Sequence, residues 1–119
     1  MKYLKIEIEK ILLDICKNVY LESADDDCPF PYLVYSISNA VNNGDLHSYI
    51  LDVDIWDKSE TTRNIDDLEK KLKKIDKTTF IDENIQFTIY YDRTINTKSE
   101  HIELKRYTVM FEIRAIERR

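Results

Sequence analysis

Glycine and proline are nearly missing from this chain of 119 residues: Gly44 is the single glycine, and Pro29 and Pro31 are the two prolines. Phosphate-cradling loops need glycines where backbone N–H groups approach the ligand, so one glycine provides neither a P-loop nor a dinucleotide-binding turn. Cysteine is equally scarce. Cys16 and Cys28 lack metal-ligand spacing and read as reduced, intracellular thiols, Cys16 as a small buried hydrophobe in a helical pattern. His47 and His101 fit no zinc pattern. No apolar run approaches the roughly 18 residues of a membrane span and no leader-like segment is visible, which points to a soluble intracellular protein.

What is present is charge, unevenly spread. The formal net charge is −5, yet residues 22–67 hold two cations against eleven acids while residues 93–119 hold seven cations against four acids. Opposite surface potentials favour and orient association, so an acidic middle and a basic final strand could meet between neighbouring subunits. Lys70, Lys71, Lys73 and Lys74 form a basic stretch, but Asp66, Asp67, Glu69 and Asp76 offset it on the same predicted helix. That balance opposes phosphate binding, and no sequence-specific nucleic-acid partner is expected.

Periodicity supplies the elements. Over residues 2–19, Leu4, Ile8, Ile11, Leu12, Ile15 and Val19 recur at helical spacing, which predicts an amphipathic helix. SADDDCPFP then reads as a loop. YLVYSIS from Tyr32 is β-branched and aromatic and predicts a strand. In YILDVDIWD, Tyr49, Leu51, Val53 and Ile55 share one face while Ile50, Asp52, Asp54 and Trp56 share the other. The turn chemistry of Asn42-Asn43-Gly44-Asp45 joins these strands as a hairpin. A second helix starts near Thr61 or Thr62 as cap, with Ile65, Leu68, Leu72 and Ile75 as its buried stripe. Strands near 85–91 and 104–116 follow, and the polar DRTINTKSEHI between them reads as a long, mobile connection. The prediction is one α+β domain over residues 1–119, in the order α-β-β-α-β-β: a four-stranded, mostly antiparallel sheet with both helices packed on one face.

Candidate chemistry centres on Asp52 and Asp54, which alternate positions on one strand and point the same way. Two such carboxylates could share Mg²⁺, with Lys58 assisting, as in a small nuclease. That site needs a third acid from elsewhere, and Lys58 lies beyond the expected strand end. The plainer reading puts both acids on a solvent or interface face beside an anchoring Trp56. Asp25-Asp26-Asp27 lacks the spacing of a calcium loop, and no nucleophile elbow accompanies the serines. No catalytic residue, cofactor or metal is therefore assigned; a generic α+β binding module is a third possibility.

PFPYLVYSISNAV, NNGDLHSYILDVDIWDKSETTRNIDDLEKKLKKID, FTIYYDR and RYTVMFEIRAIE, taken in that order over about residues 29–117, resemble the small tail completion and tail terminator proteins of long-tailed bacteriophages and prophages. The likeness lies in Pro31-Tyr32, in Asp52, Asp54, Trp56 and Asp57 closing a hydrophobic strand, in the helix start at Thr61, Thr62, Ile65 and Leu68, and in the basic-flanked final strand at Arg106, Tyr107 and Phe111. The resemblance implies a homo-oligomeric ring, typically a hexamer, that caps the tail tube and joins it to the head connector without catalysis. It also implies a place in the host cytoplasm during assembly and then at the tail-head junction of the virion. From their place in the acidic and basic segments, Asp52, Asp54 and Trp56 on one side and Arg93, Lys105 and Arg106 on the other are the interface candidates.

Overall fold

The computed structural model describes residues 2–24, 27–43, 46–97 and 103–117, with the backbone alone described at 40–43 and 117. Helix α1 (Lys2–Ile15) is followed by strands β1 (Val19–Leu21), β2 (Tyr32–Asn43) and β3 (Leu46–Lys58), then by helix α2 (Arg63–Lys73) and strands β4 (Thr79–Ile81), β5 (Ile85–Thr97) and β6 (Leu104–Glu117). The strands make one mixed sheet in the order β1-β2-β3-β6-β5-β4, with β1 parallel to β2 and every other pair antiparallel. A strand of 13 residues spans about 43 Å, and the strands accordingly set the long dimension of a molecule measuring 48 × 24 × 21 Å.

This corrects the four-stranded expectation: the sheet has six strands, and the element order is α-β-β-β-α-β-β-β. The two additional strands are only three residues long, too short for an alternating pattern to register in sequence. β1 also takes Val19 out of the predicted helix. α1 stops at Ile15, and the chain turns back so that the Leu33 N–H donates to the Asn18 carbonyl, beginning the parallel pairing of Val19–Leu21 with Leu33–Tyr35. Cys16, 8% exposed, holds this corner: its Sγ and the Asn18 side-chain amide both donate to the Pro31 carbonyl.

The expected connection over residues 92–103 is corrected at 92–97, while 98–102 lie outside the described residues. β5 continues to Thr97, paired with β6 down to Arg106. A bulge between Tyr91 and Arg93 shifts the register there, so the inward sequence Phe87, Ile89, Tyr91 resumes at Thr94. The extra residue breaks the alternation by which a strand is recognised. The β2–β3 pair is a hairpin whose register runs to Asn43 opposite Leu46, while its Gly44-Asp45 turn lies outside the described residues, as does Asp25-Asp26.

One face of the sheet is dry. Leu33, Tyr35, Leu51, Val53, Ile55, Phe87, Ile89, Val109, Phe111 and Ile113 form a single cluster with Leu4, Ile8 and Leu12 of α1 and Ile65, Leu68 and Leu72 of α2. Both helices therefore cover the same side. Each fully buried aliphatic or aromatic side chain contributes about 1.5–3 kcal/mol of transfer free energy, which makes this layer the main source of stability. Two buried-edge phenols tie sheet to helix: Tyr107 Oη donates to Asp66 Oδ1 at 3.1 Å, and Tyr35 Oη to Glu9 Oε1 at 3.4 Å. Burial, then the Glu9 charge and that hydrogen bond, push the Tyr35 phenol up to about 12.

The shortage of glycine has a visible consequence. Left-handed backbone falls on Glu22 (φ 68°) and Lys77 (φ 65°), a conformation that costs a non-glycine residue about 1–2 kcal/mol. Each is held by a backbone bond, Glu22 N–H to the Tyr35 carbonyl at 2.8 Å and Lys77 N–H to the Ile89 carbonyl at 2.6 Å. Thr62 stands at the N-cap of α2, but its side chain makes no capping hydrogen bond.

Candidate interaction face

The other face of the sheet is left uncovered by the helices, and four of the six sequence-predicted residues gather on it. Alternation turns Asp52, Asp54 and Trp56 of β3 away from the helices. The cross-strand register sets Asp52 opposite Met110, Asp54 opposite Thr108 and Trp56 opposite Arg106 on β6. The acidic and basic segments thus meet within one chain. Thr108 Oγ1 donates to Asp54 Oδ1 at 2.6 Å, and Arg106 Nη2 donates to Asp54 Oδ2 at 3.3 Å. The Arg106 guanidinium also lies 5.2 Å above the centre of the Trp56 ring, a favourable contact with the π face.

Aromatic rings continue the patch across β2 and β1. Trp56 stacks near Tyr32 with centroids 6.3 Å apart, Phe30 lies 5.2 Å from Tyr32, and Tyr20 meets Tyr32 edge-on at 6.0 Å. Tyr32, Val34, Asp54, Trp56 and Arg106 line an open cavity of about 250 Å³ whose far wall is Glu22–Ala24. Sequence reading missed Thr108, Tyr20 and Tyr32 as members. The alternation of β6 puts Arg106 and Thr108 on the face opposite Tyr107 and Val109, but their nearness to Asp54 needs the β3–β6 pairing.

Asp52 sits beside this network. Its Oδ1 is buried with no hydrogen-bond partner among the described residues. Burial first, and the Asp54 charge second, raise its carboxyl above the ordinary value of 3.8. The arrangement suits a contact surface better than a cation site. Both Asp54 oxygens already accept hydrogen bonds, a guanidinium occupies the adjoining space, and among the described residues no group of three or more His, Cys, Asp or Glu side chains could hold a metal ion.

The remaining candidates lie apart. Arg93 is on the same outer face, two strands from Asp52 across Met110, therefore about 10 Å away. Its Nε is 3.7 Å from Asp92 Oδ2. It borders a shallow groove of about 400 Å³ with Ile50, Tyr90, Met110 and Glu112. Lys105 belongs to the opposite side, where its Nζ donates to the Ser59 carbonyl at 2.8 Å. Asp57, read in sequence with the other two acids, is also on that side: it is 2% exposed, in register with Lys105, and its Oδ2 has no partner among the described residues.

Among the described residues no helix is long and apolar enough to cross a membrane. No protein-family model and no curated protein matches the sequence. The fold does have a solved counterpart. A chain in the virion of a native gene transfer agent particle matches with a TM-score of 0.66 and 10% identity, over 98% of this chain and 91% of that one. At that identity the match establishes a shared fold, end to end.

Proposed function

We propose that this chain is a structural protein of a phage-like virion, acting by protein–protein association and without catalysis. The observation that carries the reading is the full-length fold match to a component of a gene transfer agent virion, which leaves almost no part of either chain unaccounted for. Within that role, the ordered sequence resemblance to tail completion and tail terminator proteins favours a homo-oligomeric ring that caps the tail tube and meets the head connector. The protein would act in the host cytoplasm during assembly and then at the tail-head junction. The outer sheet face suits such work. It presents aromatic rings, an arginine and exposed aliphatics such as Ile50, Ile95 and Ile116, the mixture in which protein–protein interfaces are enriched. Asp52, Asp54, Trp56, Arg93 and Arg106 are the contact residues offered by this face, and Lys105 would contribute from the helix side.

Sedimentation velocity from micromolar to millimolar protein tests the reading, alongside incubation with DNA and Mg²⁺. Concentration-dependent growth to one closed species, with the DNA intact, is the expected result. A monomer at every concentration that cleaves DNA, and loses that cleavage in Asp54→Asn, would overturn it in favour of the nuclease.

A further inference from the structure

Two strands of the sheet run on past their short neighbours, at diagonally opposite corners. β1 accompanies β2 only through Leu33–Tyr35, and from Ser36 to Asn43 the neighbouring strand in the described structure is β3 alone. β4 accompanies β5 only through Gln86–Thr88. Just beyond, Ile89 exchanges backbone bonds with Lys77 and Thr78, and the Tyr91 N–H donates to Asp76 Oδ1. From Arg93 to Thr97 the neighbouring strand of β5 is β6 alone, and the antiparallel alternation turns the amides of Thr94 and Asn96 outward.

Edges of this kind template pairing with another chain, and monomeric proteins block them with lysine, proline, bulges or a covering segment. Neither edge carries lysine or proline: the first reads SISNAVNN and the second RTINT, and the bulges, between Asn39 and Val41 and between Tyr91 and Arg93, leave Ser36–Asn39 and Arg93–Thr97 in regular alternation. We propose that β5 of one copy pairs antiparallel with β2 of the next, Arg93–Thr97 against residues 36–40, so that one sheet continues from subunit to subunit. This deepens the ring reading above, and rests on it for why the contact is repeated and closed.

Direction, facing and stagger all agree. Three antiparallel steps separate β2 from β5 in the chain, so two copies set side by side with their helices on the same side meet antiparallel. Placing Thr97 opposite Ser36 puts Asn96 against Ile37 on the helix side and Ile95 against Ser38 on the outer side, as a shared pleat requires. Within one chain Ser36 is level with Arg93, through Asp52 and Met110. The pairing therefore slides the second copy four residues, about 13 Å, along the strands. That slide carries β4 of the first copy beyond Asn43 of the second, and β1 of the second beyond Thr97 of the first, as in a half-lap joint. Each subunit uses two different edges, which makes the contact heterologous and able to close a ring. A constant stagger is absorbed by tilting the strands, as in barrels.

Cross-linking tests the register. Ser38 and Ile95 are exposed and would face each other as a non-hydrogen-bonded pair, close enough for a disulfide. Ser38→Cys and Ile95→Cys are made separately in a Cys28→Ser background, one carrying a size tag, and oxidised mildly at high concentration. The mixture is expected to give a disulfide-linked heterodimer several-fold above either variant alone. Adding Asn96→Pro, which removes an outward N–H and leaves the β6 ladder intact, should abolish the link while circular dichroism is unchanged. Self-association of the wild type without that heterodimer would overturn the pairing and leave the ring reading standing. Absence of both would overturn the two together.

Discussion

The two faces of the central strands differ more than any other pair of regions in this molecule. On β3, Leu51, Val53 and Ile55 are each 0% exposed under the helices, whereas Asp52, Asp54 and Trp56, one residue along each time, stand half-buried on the face that the helices leave uncovered. The first set is aliphatic and interchangeable in kind, held by packing. The second is chemically particular: Arg106, Thr108 and Tyr32 tie Asp54 and Trp56 into a network, with Asp52 beside it, that contributes little to burying apolar surface. The comparison separates what folds the chain from what it presents to others.

Adjacent residues on β6 give the largest contrast. Phe111→Ala should destabilise by about 3–5 kcal/mol through the cavity left in the core, while Met110→Ala, next in sequence but on the outer face, should cost less than about 1.5 kcal/mol. Urea unfolding of the two variants measures the difference, and equal losses would erase the distinction between the faces. Trp56→Ala is expected to cost the monomer about 1–2 kcal/mol from lost area and ring contacts, and to weaken self-association measured by sedimentation more than it weakens folding. Arg106→Ala removes a partly exposed ion pair and a cation–π contact, worth together about 1 kcal/mol. Its effect should shrink with added salt, as exposed pairs do.

Much of this was legible from the residues, and the failures have physical causes. The alternation of β3 separates Leu51, Val53 and Ile55 from Asp52, Asp54 and Trp56 because each strand has one dry face. Leu4, Ile8 and Leu12, like Ile65, Leu68 and Leu72, stand out because a helix on a sheet buries a single stripe. β1 and β4 escape notice at three residues each, and the end of β5 is hidden by the bulge after Tyr91. Asp57 looks like a continuation of Asp52 and Asp54, but the odd spacing from Asp54 places it under the helices. The Asp54–Arg106 contact, 52 residues apart in sequence, depends on which strands are neighbours, and alternation within a strand carries no such information.

The smallest effect concerns Asp52. Its carboxyl is held above 3.8 by burial and by Asp54, so the folded state binds its proton more readily than the unfolded chain. The stability this group contributes is fully present below the ordinary carboxylate value and is lost as pH rises through the raised folded value. Asp52→Asn should therefore melt higher than the wild type at neutral pH, with the gap closing toward pH ~3. A gap that stays the same at every pH would show that the Asp52 carboxyl is not raised in the folded state.

Deuterium uptake compared between dilute and concentrated protein tests the central claim most directly. If the uncovered side and edges of the sheet are the assembly surface, concentration should slow exchange along residues 36–40 and 93–97 and leave α1 and α2 unchanged. Slowed exchange confined to the helices, or no change at any concentration, would contradict it.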